Sequence, residues 1–421
     1  MQSSIKLRLT VMNFLQFAVW GAYLTSMGRY LGTAGFGSEI GNFYAMQGLV
    51  SLFMPALMGI VADRWIPAQR LLGVCHMLAG MLMLGVFLYT QTDTPSYPTL
   101  FALYSLSVAF YMPTLALSNS VAYTSLDQAG LDLVKSFPPI RVFGTVGFIC
   151  TMITVSLLGL EATSGQFAVS AIISLVLAVY AQTLPNCPTA PKGQSKSLVE
   201  ALGLRAFVLF KQRKMALFFI FSMLLGVSLQ ITNGFANPFI STFGEIPAYA
   251  DTFGVKYANI LISLSQLSET LCILLIPFAL RRFGIRRVML IAMVAWVLRF
   301  ALLGLGNPGS GVWLFLLSMI VYGVAFDFFN VSGSLFVDKE TDPSIRSSAQ
   351  GLFMIMTNGI GATLGSLGAQ AVINRFVYSQ SEATAILAGW SMSWYIFAGY
   401  AAVVAVLFAL LFRYNTATEA K

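Results

Sequence analysis

About twelve apolar stretches, each of about twenty residues, constrain this chain more than any other feature. A helix rises about 1.5 Å per residue, so about 20 apolar residues cross a hydrocarbon core about 30 Å thick. Backbone polar groups in lipid must be satisfied within the protein, so each stretch is predicted to be a membrane-spanning α-helix. The stretches are 9–28, 40–62, 71–89, 100–122, 140–160, 167–184, 215–240, 258–280, 288–305, 312–337, 349–373 and 392–412.

Composition supports the same class of protein. Apolar residues make up 57% of the chain and charged residues 10%, whereas soluble domains have roughly 25% charged residues. Such a sequence cannot cover a soluble globule with polar side chains, so we predict an all-α integral membrane protein. The four cysteines lack the spacing of metal ligands, and we expect no metal and no cofactor.

The basic residues predict the orientation of the helices. With an even number of helices both termini lie on one side, and most of the 24 Lys and Arg residues fall there. The exceptions are Arg29, Lys256, Arg375 and Arg299. This asymmetry predicts that both termini are cytoplasmic, and it explains the net charge of +8 without a nucleic-acid partner.

The chain divides into two similar halves. A polar segment, 185–214, separates a predicted six-helix bundle at 1–184 from a second at 215–421, and its 198–210 portion is expected to form an amphipathic surface helix. Basic turns follow the second and eighth helices, with the sequences GIVADRWIPAQR (59–70) and PFALRRFGIRR (277–287). This pattern resembles the major facilitator superfamily, which implies twelve transmembrane helices in two six-helix halves. In such repeats, substrates bind near the middle of the membrane.

Two acidic residues lie well inside the apolar stretches, Glu269 and Asp327. A carboxylate at the centre of a membrane helix costs about 2.5–3.5 kcal/mol or more, so it is seldom present without a function. Polar partners occur three residues away, which places them on the same helical face. The polar pairs are Gln230 with Asn233, Gln266 with Glu269, and Asp327 with Asn330. Hydrogen bonding between helices is the alternative interpretation of these pairs.

A further polar face is predicted on the fifth helix. Arg141, Thr145 and Phe148 have the spacing i, i+4, i+7 and therefore share one face. Pro138-Pro139 is expected to begin this helix, since proline is tolerated in the first turn. Arg141 then has two interpretations, a residue that faces a cavity or a cation at the cytoplasmic end of the helix.

Two other titratable residues fall in apolar stretches. Arg299 is expected to pair with Glu269 or Asp327, or to extend its guanidinium toward the membrane surface. His76 is the only histidine and lies near the start of the third predicted helix. We do not expect it to relay protons at the centre of the protein.

The polar residues in the membrane indicate a class of solute. Burial in lipid favours the neutral form of a carboxyl group, so both acids are candidates for carrying a proton. Amides recognise donor–acceptor edges, and the rings of Tyr322 and Phe326 can stack on a planar group. A nucleoside fits these properties, and a sugar fits them nearly as well.

Four runs of sequence carry a resemblance. They are FPPIRVFGTVGF (137–148), FIFSMLLG (219–226) leading to QITN (230–233), SQLSET (265–270) and VYGVAFDFFN (321–330). These runs resemble the family of bacterial nucleoside:proton symporters, and the similarity covers nearly the whole chain. It implies an inner-membrane permease that imports purine and pyrimidine nucleosides with protons by alternating access.

The resemblance also implies roles for residues. The implied substrate-binding residues are Gln230, Asn233, Gln266, Glu269, Arg141, Thr145, Phe148, Tyr322 and Phe326. The residues implied in proton coupling are Asp327 and Glu269, and which of them carries the proton stays open.

Other functions fit the sequence less well. A proton-coupled sugar or glycoside symporter of the same superfamily is the alternative. A membrane enzyme would need a clustered base or nucleophile, which His76 alone does not supply, so we do not expect an enzyme. We expect a protein that functions as a monomer in the lipid bilayer, with nucleoside and protons as its partners. Base selectivity and proton stoichiometry do not follow from the sequence.

Overall fold

The computed structural model describes residues 2–189, 204–342 and 345–414, which form helices and turns without a β-strand. Eight α-helices come first: α1 Gln2–Gly21, α2 Met27–Thr33, α3 Ile40–Ser51, α4 Met54–Arg64, α5 Ala68–Tyr89, α6 Tyr97–Gln128, α7 Leu133–Leu157 and α8 Gly165–Ala181. The later helices are α9 Arg213–Thr242, α10 Phe253–Lys256, α11 Ala258–Leu305, α12 Val312–Glu340, α13 Arg346–Met354, α14 Ala362–Phe376 and α15 Ala383–Leu411. The 3₁₀ segments are Gly37–Glu39, Leu204–Lys211 and Phe243–Glu245, and a π-helix, Ile355–Gly361, joins α13 to α14.

The described residues form two compact units. The first comprises those of Met1–Tyr30 and Leu49–Leu202, and the second comprises those of Leu31–Gly48 and Gly203–Lys421. The predicted domains, 1–184 and 215–421 with a linker at 185–214, stay a prediction.

Length and surface character suit these helices to a membrane. Nine helices within the described residues are long and apolar enough to cross a bilayer. Large apolar side chains are exposed on them, for example Leu274 at 74% and Leu410 at 64%. In water such a surface would be an aggregation liability, whereas hydrocarbon covers it without penalty. The count of twelve spans stays a prediction.

Several predicted helices are interrupted. The first predicted stretch, 9–28, is divided by a turn between α1 and α2, and the second, 40–62, is divided at Leu52 and Phe53. Pro55 lies in the first turn of α4, where its missing N–H is not needed, so the chain resumes its helix there. Hydropathy does not detect such breaks because the residues on both sides are equally apolar.

The predicted start of the fifth helix is wrong. Pro138 and Pro139 lie inside α7, which begins at Leu133. Asp132 accounts for the earlier start, because its Oδ1 accepts a hydrogen bond of 3.3 Å from the backbone N–H of Lys135. That contact is typical of an N-cap residue.

The predicted surface helix at 198–210 is also corrected in part. Its described portion belongs to the 3₁₀ segment Leu204–Lys211, and the remainder lies outside the described residues. Ala206 and Leu209 are buried, three residues apart, which suits the three-residue turn of a 3₁₀-helix.

The predicted boundary between the eighth and ninth helices is confirmed at Gly284. This residue has φ +74° and ψ 163° within the range of α11, and a backbone of positive φ favours glycine. The basic turn predicted at 277–287 therefore contains a break in the helical backbone.

Gly361 and Gly365, which have GxxxG spacing, make close backbone contacts in the second unit. A Cβ atom added at Gly361 would lie 2.5 Å from the Met223 carbonyl oxygen, and one added at Gly365 would overlap the Val227 carbonyl oxygen. Such close contact lets α9 and the π-helix–α14 segment pack backbone to backbone.

Candidate functional site

Asp327 is the most buried carboxyl group among the described residues of the second unit. It lies on α12 and is 5% exposed, and within the described residues its Oδ2 atom has no hydrogen-bond partner. Glu269 of α11 and Cys272, one turn further along that helix, both interact electrostatically with Asp327. Glu269 is half-buried. Because the two predicted acids interact electrostatically, they belong to one polar region of the structure.

Close helix packing brings these acids together. A Cβ atom at Gly323 would lie 2.5 Å from the Ser268 carbonyl oxygen, so the backbones of α11 and α12 touch at this level. The Ser268 hydroxyl also donates to the carbonyl oxygen of Ile320. This contact places Gln266 and Glu269 beside the Tyr322 turn of α12, where the side chains of Gln266 and Tyr322 are hydrogen-bonded.

Aromatic rings form a wall above Asp327. The Tyr322 and Phe326 rings are stacked, with centroids 5.6 Å apart and an interplanar angle of 4°. Trp296 packs edge-on against Tyr322 at 5.9 Å and 88°. One turn of α12 therefore presents two parallel rings, a geometry suited to a planar ligand.

The polar pair on α9 is internally bonded. The Asn233 Nδ2 atom donates a hydrogen bond of 2.9 Å to Gln230 Oε1. Gln230 is buried and Asn233 half-buried. The bond leaves the Gln230 amino group and the Asn233 carbonyl oxygen able to bind a ligand that offers one acceptor and one donor.

A small cavity connects α9 with α12. It holds about 10 Å³ of free space, room for about one water molecule. The residues lining it are Leu225, Gly226, Leu229, Trp296, Phe326, Asn330, Thr357 and Asn358. Leu225, Gly226 and Leu229 of α9 thus face the predicted α12 residues across this cavity, and the π-helix contributes Thr357 and Asn358 to its wall.

Arg299 does not form the predicted ion pair. Within the described residues no carboxylate oxygen lies within 4.0 Å of it, and at 2% exposure it does not extend to the membrane surface. Its Nη1 atom donates to the Ser318 carbonyl oxygen at 2.8 Å, and its guanidinium lies 4.5 Å from the centroid of the Tyr322 ring.

The predicted α7 face lies in the first unit and packs on α1. The Arg141 guanidinium is 4.0 Å from the centroid of the Phe17 ring, and Phe148 packs edge-on against Trp20 at 6.4 Å. Thr145, which lies between Arg141 and Phe148 in the sequence, is half-buried. Arg141 lies two turns into α7, so it is not at the end of that helix.

His76 is a fully buried link between helices of the first unit. Its Nε2 lies 2.8 Å from Gln16 Oε1, and its Nδ1 lies 3.0 Å from the Ser174 hydroxyl. Gln16 in turn donates to Thr114 Oγ1 at 2.7 Å. The imidazole therefore joins α5 to α1 and α8.

Two aromatic residues beside the predicted ones, Phe17 and Trp296, were not identified as site residues from the sequence. Phe17 and Trp20 contact Arg141 and Phe148, and Trp296 contacts Tyr322. The available signal was their spacing, since Phe17 and Trp20 are three residues apart and Trp296 precedes Arg299 by three.

Comparison with known families and proteins gives a consistent result. The family described as nucleoside H+ symporter matches residues 3–417. Xanthosine permease of Escherichia coli (strain K12) is 50% identical over 415 residues, which cover 98% of this chain and 97% of that protein. Nucleoside permease NupG of the same organism is 47% identical over the same shares of both chains.

Solved structures agree with the sequence comparison. A crystal structure of nucleoside transporter NupG superimposes with a TM-score of 0.88 and 46% identity, covering 98% of this chain and 100% of that chain. A peptide transporter of the POT family, 12% identical, has a TM-score of 0.70 over 96% of this chain and 94% of that chain, a likeness of fold alone. The predicted all-α major facilitator fold is confirmed.

Proposed function

The chain belongs to the nucleoside H+ symporter family, and from that premise we propose how its residues carry nucleoside and proton. The protein is a multi-pass membrane transporter that couples nucleoside import to protons, and it is not an enzyme. The residue roles, the range of bases and the orientation in the membrane are our proposals.

The nucleoside is held by the polar groups around the stacked rings of the second unit. Gln230, Asn233 and Gln266 supply amide donors and acceptors, and Glu269 accepts hydrogen bonds from ribose hydroxyls. Tyr322 and Phe326 stack against the base. Arg141, Thr145 and Phe148 are proposed as further residues that contact the nucleoside, on the strength of the family resemblance.

The proton is carried by the carboxyl pair of Asp327 and Glu269. The observation that supports this role most directly is the buried Asp327 Oδ2 atom, which has no partner within the described residues. The two acids interact electrostatically, and like charges in a poorly solvated region disfavour the doubly ionised state. One proton shared by the pair relieves that repulsion, so proton binding prepares the site for a neutral nucleoside.

Transport proceeds by alternating access. The protonated site binds a purine or pyrimidine nucleoside from outside, and the change of access releases nucleoside and proton to the cytoplasm. We propose a bacterial inner-membrane location, a functional monomer, and the proton as the sole coupling ion. Both termini are proposed to be cytoplasmic, as the distribution of Lys and Arg indicates.

Asp327→Asn tests the proton assignment. Purified transporter in proteoliposomes is expected to accumulate labelled uridine when the outside is made acidic, and a protonophore should abolish the accumulation. Asp327→Asn should permit exchange of uridine down its gradient but not accumulation. Asp338→Asn is the matched control, since Asp338 lies on the same helix at 53% exposure. Proton-driven accumulation by Asp327→Asn would overturn the assignment.

A competition assay tests the substrate class. Unlabelled uridine, inosine, adenosine and cytidine should each reduce labelled uridine uptake, and lactose should not. Competition by lactose at similar concentration would contradict a nucleoside-specific site. Resistance of uptake to purine nucleosides would restrict the proposal to pyrimidines.

A further inference from the structure

Arg299 is a buried cation that the transport scheme above does not use. It lies in the second half of α11, is 2% exposed, and has no carboxylate oxygen within 4.0 Å among the described residues. Removing an arginine from water carries a large desolvation penalty. A structure that keeps such a charge without a direct ion pair must stabilise it in another way.

Arg299 contacts Tyr322, one of the two stacked rings of α12. Its Nη1 atom reaches the Ser318 carbonyl oxygen at 2.8 Å and the Ser265 hydroxyl at 3.3 Å, and the Ser318 hydroxyl donates back to the Arg299 carbonyl oxygen at 2.9 Å. These bonds hold the guanidinium between the first half of α11, which contains Ser265, and α12, which contains Ser318. There it lies 4.5 Å from the centroid of the Tyr322 ring, within the range of a cation–π interaction.

Tyr322 is the neighbour that Arg299 shares with the proposed site. The electrostatic partners of Tyr322 include Glu269, Arg299 and Asp327, and its side chain is hydrogen-bonded to Gln266. Trp296, one turn before Arg299, packs edge-on against the same ring. Thus one turn of α11 contacts the Tyr322 ring through Arg299 and Trp296. The other neighbours of Tyr322 belong to the proposed nucleoside and proton site.

We propose that Arg299 is a positioning residue for nucleoside binding, which acts by holding the Tyr322 ring parallel to Phe326. This inference rests on the proposed role of Tyr322 in the nucleoside site. The cation–π contact fixes one ring, and the stack transmits that orientation to the second. Arg299 does not touch the nucleoside, so its removal weakens binding only while the Tyr322 ring is present.

Equilibrium binding of uridine to the purified transporter tests this, with uptake kinetics as a second readout. Arg299→Gln is expected to raise the uridine Kd and the KM about tenfold, with Vmax changed less than about twofold. Arg299→Lys keeps the charge and is expected to recover most of the affinity, within about threefold of the unaltered protein. It also serves as the second variant should Arg299→Gln fold poorly.

A double-mutant cycle separates positioning from general destabilisation. Tyr322→Leu removes the ring, and adding Arg299→Gln to it should leave the Kd unchanged within about twofold, because the two effects are not independent. Arg286→Gln is the matched control on the same helix, since Arg286 donates to the carbonyl oxygens of Phe412 and Ala409, and it should leave the Kd unchanged.

Two results would overturn the inference. The first is an unchanged uridine Kd in Arg299→Gln, and the second is an equal rise in Kd with and without the Tyr322 ring. Uridine binding without proton-driven uptake would contradict the proposed function instead, and would leave the binding test of Arg299 valid.

Discussion

Tyr322 uses the two parts of its side chain for different contacts. The hydroxyl group takes part in a hydrogen bond with Gln266, and the ring contacts Phe326, Trp296 and Arg299. The residue therefore orders one amide and one ring of the proposed nucleoside site together.

Tyr322→Phe separates these contributions. The ring and its neighbours stay, while Gln266 loses a partner and becomes free to adopt other rotamers. A lost hydrogen bond of this kind is worth about 1 kcal/mol, so we expect the KM for uridine to rise about fivefold with little change in Vmax. Initial rates of uptake over a range of uridine concentrations measure both quantities.

Tyr395→Phe is the control for that substitution. Tyr395 lies on α15 and donates to the Gly304 carbonyl oxygen at 3.3 Å, so its hydroxyl serves packing. Its loss should leave the KM unchanged. Equal KM values for Tyr322→Phe and the unaltered protein would show that the Gln266 contact does not contribute to nucleoside binding.

At the scale of the helices, contact between backbones decides where substitutions are tolerated. Gly365→Ala places a methyl group onto the Val227 carbonyl oxygen of α9, and overpacking of this kind costs about 1–3 kcal/mol. We expect a lower Tm for the purified protein, measured by tryptophan fluorescence in detergent.

Gly368→Ala provides the comparison within α14. A Cβ atom there has no neighbour within 4 Å, and alanine is a better helix former than glycine by about 1 kcal/mol. Its Tm should therefore be unchanged or raised. A Tm for Gly365→Ala as high as that for Gly368→Ala would mean that α9 and α14 separate without loss of stability.

The helices show which parts of the fold a sequence pattern can predict. The apolar stretches predicted most helices because lipid demands a length and a composition that can be counted. The predicted start of α7 was wrong because Asp132 caps the helix at Leu133, ahead of the two prolines. A hydropathy pattern does not reveal a side-chain contact of this kind. The break at Gly284 was predicted because it lies in a polar, basic turn.

The site shows a similar limit. Spacing along one helix predicted the Gln230–Asn233 pair, which the structure joins by a hydrogen bond. The partner of Arg299 was predicted wrongly, because opposite charge suggested a carboxylate whereas the packing of α11 on α12 supplies an aromatic ring and a carbonyl oxygen. Contacts between helices depend on rotation about each helix axis, which a single sequence does not define.

For the whole molecule, the distribution of charge predicts a topology that can be measured. Both termini and the basic turns 59–70 and 277–287 should face the cytoplasm, whereas Arg29, Lys256 and Arg375 should face outside. The Arg29–Glu161 ion pair, 3.3 Å long, would then lie at the outer end of the first unit.

Reporter fusions check this topology. Green fluorescent protein at the C-terminus should fluoresce, and alkaline phosphatase at the same position should be inactive. Alkaline phosphatase inserted after Asp251 should be active, because that residue and its ion-pair partner Lys256 lie in a predicted outer loop. The opposite pattern of activities would invert the proposed orientation.

The π-helix Ile355–Gly361 has a consequence for how insertions and deletions act on this protein. A π-turn contains an extra residue, and each residue turns an α-helix by about 100°. Deleting one residue there would shorten the helical segment by about 1.5 Å and would rotate the helix on one side of it by about 100°. Every side chain of α13 would then swing about the axis, turning the buried Ala349, Leu352 and Phe353 away from the interior and the exposed Met354 away from lipid. Deletion of one codon in this segment would thus rotate a neighbouring helix by about 100°, although the sequence of that helix is unaltered.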